Sequence, residues 1–174
     1  IGATGSLDLS DLNGTIGFVV NGAAYGDQSG ISVSSAGDIN GDGYDDLLIG
    51  ANGTSAGTSY VIFGQASIGS EGTIDLLSLD RSTGFALVGV DSSEESGRSV
   101  SAAGDVDGDG IDDLLIGAPF ARGSNNYLYA AGEAYVIYGA TNISEMVLPT
   151  EVTIDLVNLP PELTAPGPPA PDLR

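Results

Sequence analysis

Two stretches of this chain are nearly identical, and that repetition constrains the fold more than any other feature. Residues 30–51 read GISVSSAGDINGDGYDDLLIGA and residues 97–118 read GRSVSAAGDVDGDGIDDLLIGA, with 17 of 22 positions identical at an offset of 67. A later match joins YVIFG at 60–64 to YVIYG at 135–139, now 75 residues apart. Repeats of this length are units that bury their apolar faces by stacking on neighbouring units.

At the centre of each repeat is a nine-residue loop rich in side-chain oxygens. The first loop, residues 38–46, reads DINGDGYDD, and the second loop, residues 105–113, reads DVDGDGIDD. Ca²⁺ prefers about six to eight oxygen ligands, which alternate acids on a sharply turning loop can supply. We therefore interpret each loop as a calcium site. An EF-hand is excluded, because the residue where it needs an acid is Ile49 or Ile116, inside a predicted strand.

The residues around each loop predict a repeated unit of four strands. The LLI run after each loop is typical of a strand buried on both faces, and the neighbouring segments alternate or are rich in β-formers. Such units in series, bounded by glycine turns, are typical of propeller blades, so the predicted fold class is all-β. The predicted strands are 31–36, 46–50, 59–63 and 84–90 in the first unit, with a link at 72–76, and 99–103, 113–117 and 133–138 in the second, with a link at 152–156.

The two units are out of step with the ends of the chain. Residues 16–21 read as a fourth strand with no blade before it, so we expect this N-terminal strand to be unpaired or exchanged. The second unit has no fourth strand, because six prolines after residue 158 favour an extended tail. The predicted division is a lead-in at 1–14, the preceding fourth strand with the first blade at 15–96, the second blade at 97–157, and a proline-rich tail or linker at 158–174. A chain that starts with Ile1 is expected to be processed or an excerpt.

The repeated motif resembles the FG-GAP repeat of integrin α-subunit β-propellers and their bacterial-type extracellular relatives. The residues that carry the resemblance are GDINGDGYDDLLIGA and GDVDGDGIDDLLIGAP, followed by YVIFG and YVIYG, and it covers nearly all of 15–157. In that family the loop between the first two strands of a blade binds Ca²⁺, which implies two calcium sites here. The implied ligands are Asp38, Asn40, Asp42, the carbonyl of Tyr44 and Asp46 in the first loop, and Asp105, Asp107, Asp109, the carbonyl of Ile111 and Asp113 in the second.

This sequence departs from the family at the eighth loop position, where proline is common. Asp45 and Asp112 stand there, either as additional charge near the cation or as solvated acids. Three glycosylation sequons begin at Asn13, Asn52 and Asn142. In a chain this rich in Asn, Gly, Ser and Thr, chance is their leading explanation.

Composition excludes several classes of function. The 24 acidic and four basic residues give a net charge of −20, which argues against binding nucleic acid or anionic membranes. Without Cys or His, thiol and imidazole catalysis and ordinary zinc sites are excluded. No apolar run approaches the roughly 18 residues of a membrane span, so no membrane insertion is expected. Glu94 and Glu95 form an acid pair, but adjacent side chains tend to point apart, so we expect no enzyme and no catalytic residue.

Three hypotheses of function follow from the repeat and its resemblance. The first is a calcium-stabilised structural or adhesion module, secreted or on the cell surface, that assembles with further blades or head-to-tail with copies of itself by strand addition. The second is an excerpt of a six- or seven-bladed integrin-like propeller that binds a protein or glycan. The third is a non-catalytic part of a secreted hydrolase or lyase.

Overall fold

A computed structural model describes residues 5–122 and 130–143, together with the backbone of 153–155. The proline-rich segment predicted at 158–174 lies outside these residues. The described chain is built from short strands and two single-turn 3₁₀ helices, Leu9–Asp11 and Leu76–Ser78. The strands are β1 Val19–Asn21, β2 Ser32–Gly37, β3 Asp46–Ala51, β4 Thr58–Ile62, β5 Thr73–Asp75, β6 Gly84–Val88, β7 Ser99–Gly104, β8 Asp113–Ala118, β9 Glu133–Ile137 and β10 Thr153–Asp155.

The first blade is an antiparallel sheet in which β2, β3, β4 and β6 lie side by side in that order. Hairpins join β2 to β3 and β3 to β4, whereas the segment between β4 and β6 contains β5 and a 3₁₀ helix. β3 is central, and its residues from Leu48 to Ala51 are all buried. The continuous apolar run that follows the first loop therefore has the buried position that its sequence predicts.

The second blade repeats this arrangement with β7, β8 and β9, which form a three-stranded antiparallel sheet. The register also repeats: Val33 lies opposite Ile49 in the first blade, and Val100 lies opposite Ile116 in the second. Both hairpins have an irregularity one or two residues before the loop. No fourth strand is paired with β9 among the described residues. The predicted division of the chain, with an incomplete second blade, stays a prediction.

Two parallel strand pairs link the units in a way that the sequence analysis did not anticipate. β1 pairs with β5, and β6 pairs with β10. The segments 72–76 and 152–156 were expected to be links, but each contains a short strand. The two pairs are equivalent, because the repeat aligns β1 with β6 and β5 with β10 in the same register. The N-terminal strand, expected to be unpaired or exchanged, is thus paired on one edge within the chain.

The main core lies between the two blades. It contains Ala36, Ile39, Leu48, Val61, Phe63, Phe85 and Leu87 from the first blade and its first loop, and Leu114, Ile116, Ile137 and Ile143 from the second. A smaller cluster on the other face of the first blade is formed by Ile49, Ile62 and Leu76, covered by Val20 of β1 and Ile74 of β5. Each blade thus needs a neighbour to bury its apolar face, as expected for stacked repeats.

Candidate metal centre

The first loop folds around its own acidic side chains. The Asp38 carboxylate accepts the N–H groups of Asp42 and Gly43, at 3.0 and 2.8 Å. Asn40 accepts the same Asp42 N–H at 2.9 Å, and Asp42 accepts the N–H of Tyr44 at 2.9 Å. These bonds turn the side-chain oxygens of positions 1, 3 and 5 toward the inside of one tight loop, where a hard cation finds oxygen donors.

The second loop repeats this arrangement with three carboxylates. Asp105 accepts the N–H groups of Gly108, Asp109 and Gly110, and Asp109 accepts that of Ile111 at 2.8 Å. One carboxylate oxygen from each of Asp105, Asp107 and Asp109 lies within 4.8 Å of the others, close enough to hold one metal ion. The donor set consists of oxygens with negative charge, which suits Ca²⁺ and not a soft metal.

The last acid of each loop lies beneath the loop. Asp46 and Asp113 are fully buried. Asp46 accepts the N–H groups of Ile39 and Gly64, at 3.0 and 2.7 Å, and Asp113 accepts the equivalent pair at 2.6 and 2.8 Å. Asp113 is outside the group of three carboxylates described above. Each of these two acids therefore joins the start of its loop to the segment that follows the third strand of its blade, β4 or β9. Their role as ligands stays a prediction, as does that of the Tyr44 and Ile111 carbonyls.

Burial and crowding raise the proton affinity of these buried acids. Burial raises the pKa of Asp46 to about 6, and the charges of Asp42 and Asp38 add to the rise. Burial likewise raises the pKa of Asp113, with a smaller contribution from Asp107 and Asp109. A cation in the loop would offset this repulsion and keep the carboxylates ionised, so its binding would be coupled to local folding.

The first loop is packed against the second blade. Ile39 is fully buried in the core between the blades, and its carbonyl accepts the N–H of Ala140 at 3.0 Å. A side chain at Gly41 would lie 3.0 Å from Thr141. The second loop has no such neighbour among the described residues, because Val106, which corresponds to Ile39, is 58% exposed. Two loops of nearly the same sequence thus lie in different surroundings.

A second recurring acid lies at the other end of each unit, and sequence reasoning missed its role. Asp27 accepts the N–H groups of Ala23 and Ala24, at 2.8 and 3.0 Å. Glu94, at the same repeat position, accepts those of Val90 and Asp91, at 2.8 and 3.0 Å. Both acids are buried and close the turn that follows a fourth strand. The offset of 67 that relates residues 27 and 94 is the signal in the sequence that marks the two acids as equivalent.

The two recurring acids differ in proton affinity. Burial alone would raise the pKa of Asp27, but N–H groups of Ser29, Ala24 and Ala23 and the Ser29 hydroxyl together lower it. Burial raises the pKa of Glu94 despite its two N–H partners. The Glu95 carboxylate forms an ion pair with Arg98, whereas the Glu94 carboxylate accepts the N–H groups of Val90 and Asp91. The expectation that neither acid is catalytic stays a prediction.

These features identify the repeat. The sequence matches the FG-GAP repeat family at residues 29–62 and 96–137, the two stretches that contain the loops. The chain carries two FG-GAP repeats. The all-β fold with antiparallel blade sheets agrees with this family. The predicted resemblance is therefore confirmed.

Relatives with FG-GAP repeats are similar to most of this chain but are much longer. Integrin alpha ina-1 of Caenorhabditis elegans is 34% identical over 157 residues, which cover 83% of this chain and 13% of that protein. Integrin alpha-PS5 of Drosophila melanogaster is 33% identical over 130 residues, covering 74% and 12%. Phosphatidylinositol-glycan-specific phospholipase D of Bos taurus is 38% identical over 117 residues, covering 64% and 13%. The chain thus corresponds to a small part of each relative.

In its described residues, no helix is long and apolar enough to cross a membrane.

Proposed function

We propose that this chain is a calcium-stabilised, non-enzymatic structural module of an extracellular adhesion-type protein, which works by assembling with further blades. Calcium in each loop holds the first two strands of a blade together by offsetting the repulsion among the loop carboxylates. The oxygen-only donor sets of both loops support this assignment. The similarity to integrin α-subunits supports the extracellular and adhesion parts of the proposal.

The observation that carries the assembly proposal is an exposed apolar face on the second blade. In the first blade, Leu48 and Val61 are completely buried against the second blade. Their counterparts in the second blade, Leu115 and Val136, are each 39% exposed. Exposed apolar surface at a site that is buried in the equivalent unit marks a surface made for a partner. The partner that fits is another blade, because a blade covers the equivalent surface within this chain.

Strand addition gives this assembly a defined register. In the first blade, Thr58 of β4 lies opposite Val88 of β6. The repeat offsets place Glu133 of β9 and Asn21 of β1 in the corresponding positions. Among the described residues, one edge of β9 pairs with no strand. That edge can therefore accept β1 of a second copy, and main-chain hydrogen bonds would hold the two together. Repetition of this head-to-tail contact closes a ring or extends a fibre, depending on the rotation per step.

One experiment tests both parts of the proposal. Melting temperature and light-scattering mass are measured in calcium and in chelator for the wild type, Asp42→Ala, Asp109→Ala and Val136→Asp. We expect each loop variant to lose stability in calcium much more than in chelator, and Val136→Asp to reduce the mass without changing the response to calcium. Equal losses in both conditions would contradict the cation sites. A monomeric wild type at every concentration, in both conditions, would contradict self-assembly.

A cleft between the blades favours binding of a protein or glycan as a second candidate function. The cleft, of about 620 Å³, is lined mainly by polar side chains, which include Gln28, Asn52, Glu95 and Arg98. The Asn52 Oδ1 atom is buried without a hydrogen-bond partner among the described residues. Its Nδ2 atom donates to Glu95 at 3.2 Å. This hydrogen bond disfavours glycosylation of Asn52 in the folded protein. A glycan-array screen of the wild type and Arg98→Ala tests this candidate, and equal binding by both would exclude the cleft.

A further inference from the structure

The cation loop of the first blade receives a side chain from the second blade. Asp112, the eighth residue of the second loop, accepts the backbone N–H of Asp38 at 3.1 Å. Asp38 is the first residue of the first loop, and its carboxylate accepts two N–H groups within that loop. Asp112 therefore holds the backbone from which the first proposed cation ligand projects, although Asp112 belongs to the other repeat.

The approach is close enough to require glycine at the preceding position. Gly37 has a φ of +67°, and a Cβ atom there would lie 2.1 Å from the Asp112 carboxylate. Gly104 corresponds to it in the second repeat and has a similar φ of +70°, yet a Cβ atom there would contact nothing within 4 Å. The contact is thus a property of the interface between the blades, and not of the loop sequence.

Asp45 shows what the same residue does without this interface. It occupies the eighth position of the first loop and is exposed, and its carboxylate makes no hydrogen bond to the described residues. Asp112 is partly buried and has one. Of the two roles open at this position, the structure places Asp45 as a solvated acid and Asp112 as a contact across the blades.

We propose that Asp112 is a positioning residue for the cation site of the first loop, so that this site is completed by the neighbouring blade. The inference rests on the proposed binding of a cation by that loop. Its physical basis is that a hydrogen bond to a carboxylate is stronger than a neutral one, so the Asp112 carboxylate orients the Asp38 N–H group that donates to it. The negative charge of Asp112 also adds to the attraction for a cation at Asp38.

Terbium(III) offers a readout that is specific for the first loop. Terbium replaces calcium at oxygen sites and emits when a nearby tyrosine is excited, and Tyr44 belongs to the first loop while the second has Ile111 at that position. Titrations are run on the full chain of the wild type, Asp112→Ala, Asp112→Asn and Asp45→Asn. The variant Tyr44→Phe measures the background terbium emission that is excited through the other tyrosines. Melting temperature in chelator is recorded for each protein.

We expect Asp112→Ala to weaken terbium binding at the first loop by about tenfold, the size of one charge-assisted hydrogen bond. Asp112→Asn, which keeps an acceptor oxygen, should weaken it less, and Asp45→Asn, which removes the same charge from an exposed position, by no more than about twofold. Melting in chelator should fall by about 2–4 °C for Asp112→Ala, which loses the contact with Asp38, and should change little for Asp45→Asn. Equal affinities for Asp112→Ala and Asp45→Asn would overturn the inference. So would a loss of binding free energy in Asp112→Ala that is no larger than its loss of unfolding free energy in chelator. A wild type without any signal that depends on Tyr44 would instead overturn cation binding by the first loop.

Discussion

The two cation loops are nearly the same in sequence, but one is inside an interface and the other is at the surface. Ile39 of the first loop is fully buried, whereas Val106 of the second loop is 58% exposed. Four N–H contacts to acids recur in both loops, and the second loop adds one from Gly108 to Asp105. The local sequence is therefore sufficient for the conformation of the loop, and the neighbouring blade decides how much the loop contributes to the stability of the whole chain.

The largest effect should come from removing the buried residue of this pair. Ile39→Ala leaves a cavity between the blades and should lower the free energy of unfolding by about 2–5 kcal/mol. Val106→Ala is the matched control, and it should change that free energy by no more than about 0.5 kcal/mol. Urea denaturation in chelator measures both, so that cation binding does not contribute. Similar losses for the two variants would show that the loops are equivalent in solution.

A smaller difference is expected between the two glycines that precede the loops. Gly37→Ala and Gly104→Ala both place an alanine at a positive φ, which costs about 1–2 kcal/mol. Only Gly37→Ala also displaces Asp112, so it should lose roughly 1 kcal/mol more in the same denaturation experiment. An equal loss would mean that the contact between Asp112 and the first loop contributes nothing to stability.

The smallest effect concerns pH and the two recurring acids, Asp27 and Glu94. The raised pKa of Glu94 means that its contribution to stability is present at low pH and is lost as the pH rises through that pKa. The lowered pKa of Asp27 has the opposite sign, so its contribution is lost as the pH falls. Compared with the wild type, Glu94→Gln should therefore lose less stability as the pH rises, and Asp27→Asn should lose less stability as the pH falls. Thermal melting in chelator between about pH 3 and 8 measures both. A change of the same sign in both variants would contradict these assignments.

The sequence predicted the features that depend on local patterns. The strand after each loop was found because Leu47-Leu48-Ile49 and its copy are continuous apolar runs. The ends of the strands predicted in the two units were accurate to within about two residues, whereas the N-terminal strand begins three residues later than predicted. The oxygens of the loops were found because their spacing is short and regular. In physical terms, these features are decided by neighbours along the chain.

The features that were missed depend on packing between distant segments. β5 and β10 have three residues each and pair with strands more than 50 residues away, so no local pattern distinguishes them from a link. Asp112 was left between two roles because its contact with Asp38 spans 74 residues. The different surroundings of Ile39 and Val106 arise in the same way, since the second blade packs against Ile39 while the described residues leave Val106 exposed.

The parallel pairing of β6 with β10 has a consequence for how this chain can be divided. β6 completes the first blade and also binds a strand that follows the second blade, so the backbone between residues 88 and 153 forms a closed loop. The border of the sequence repeat, near residue 97, lies inside this loop. A cut there would separate two strands that form one sheet, and each half would lose part of its hydrogen-bonded edge. The repeat that is visible in the sequence is therefore not a unit that can be excised, and the smallest piece that preserves every strand pair extends across both loops.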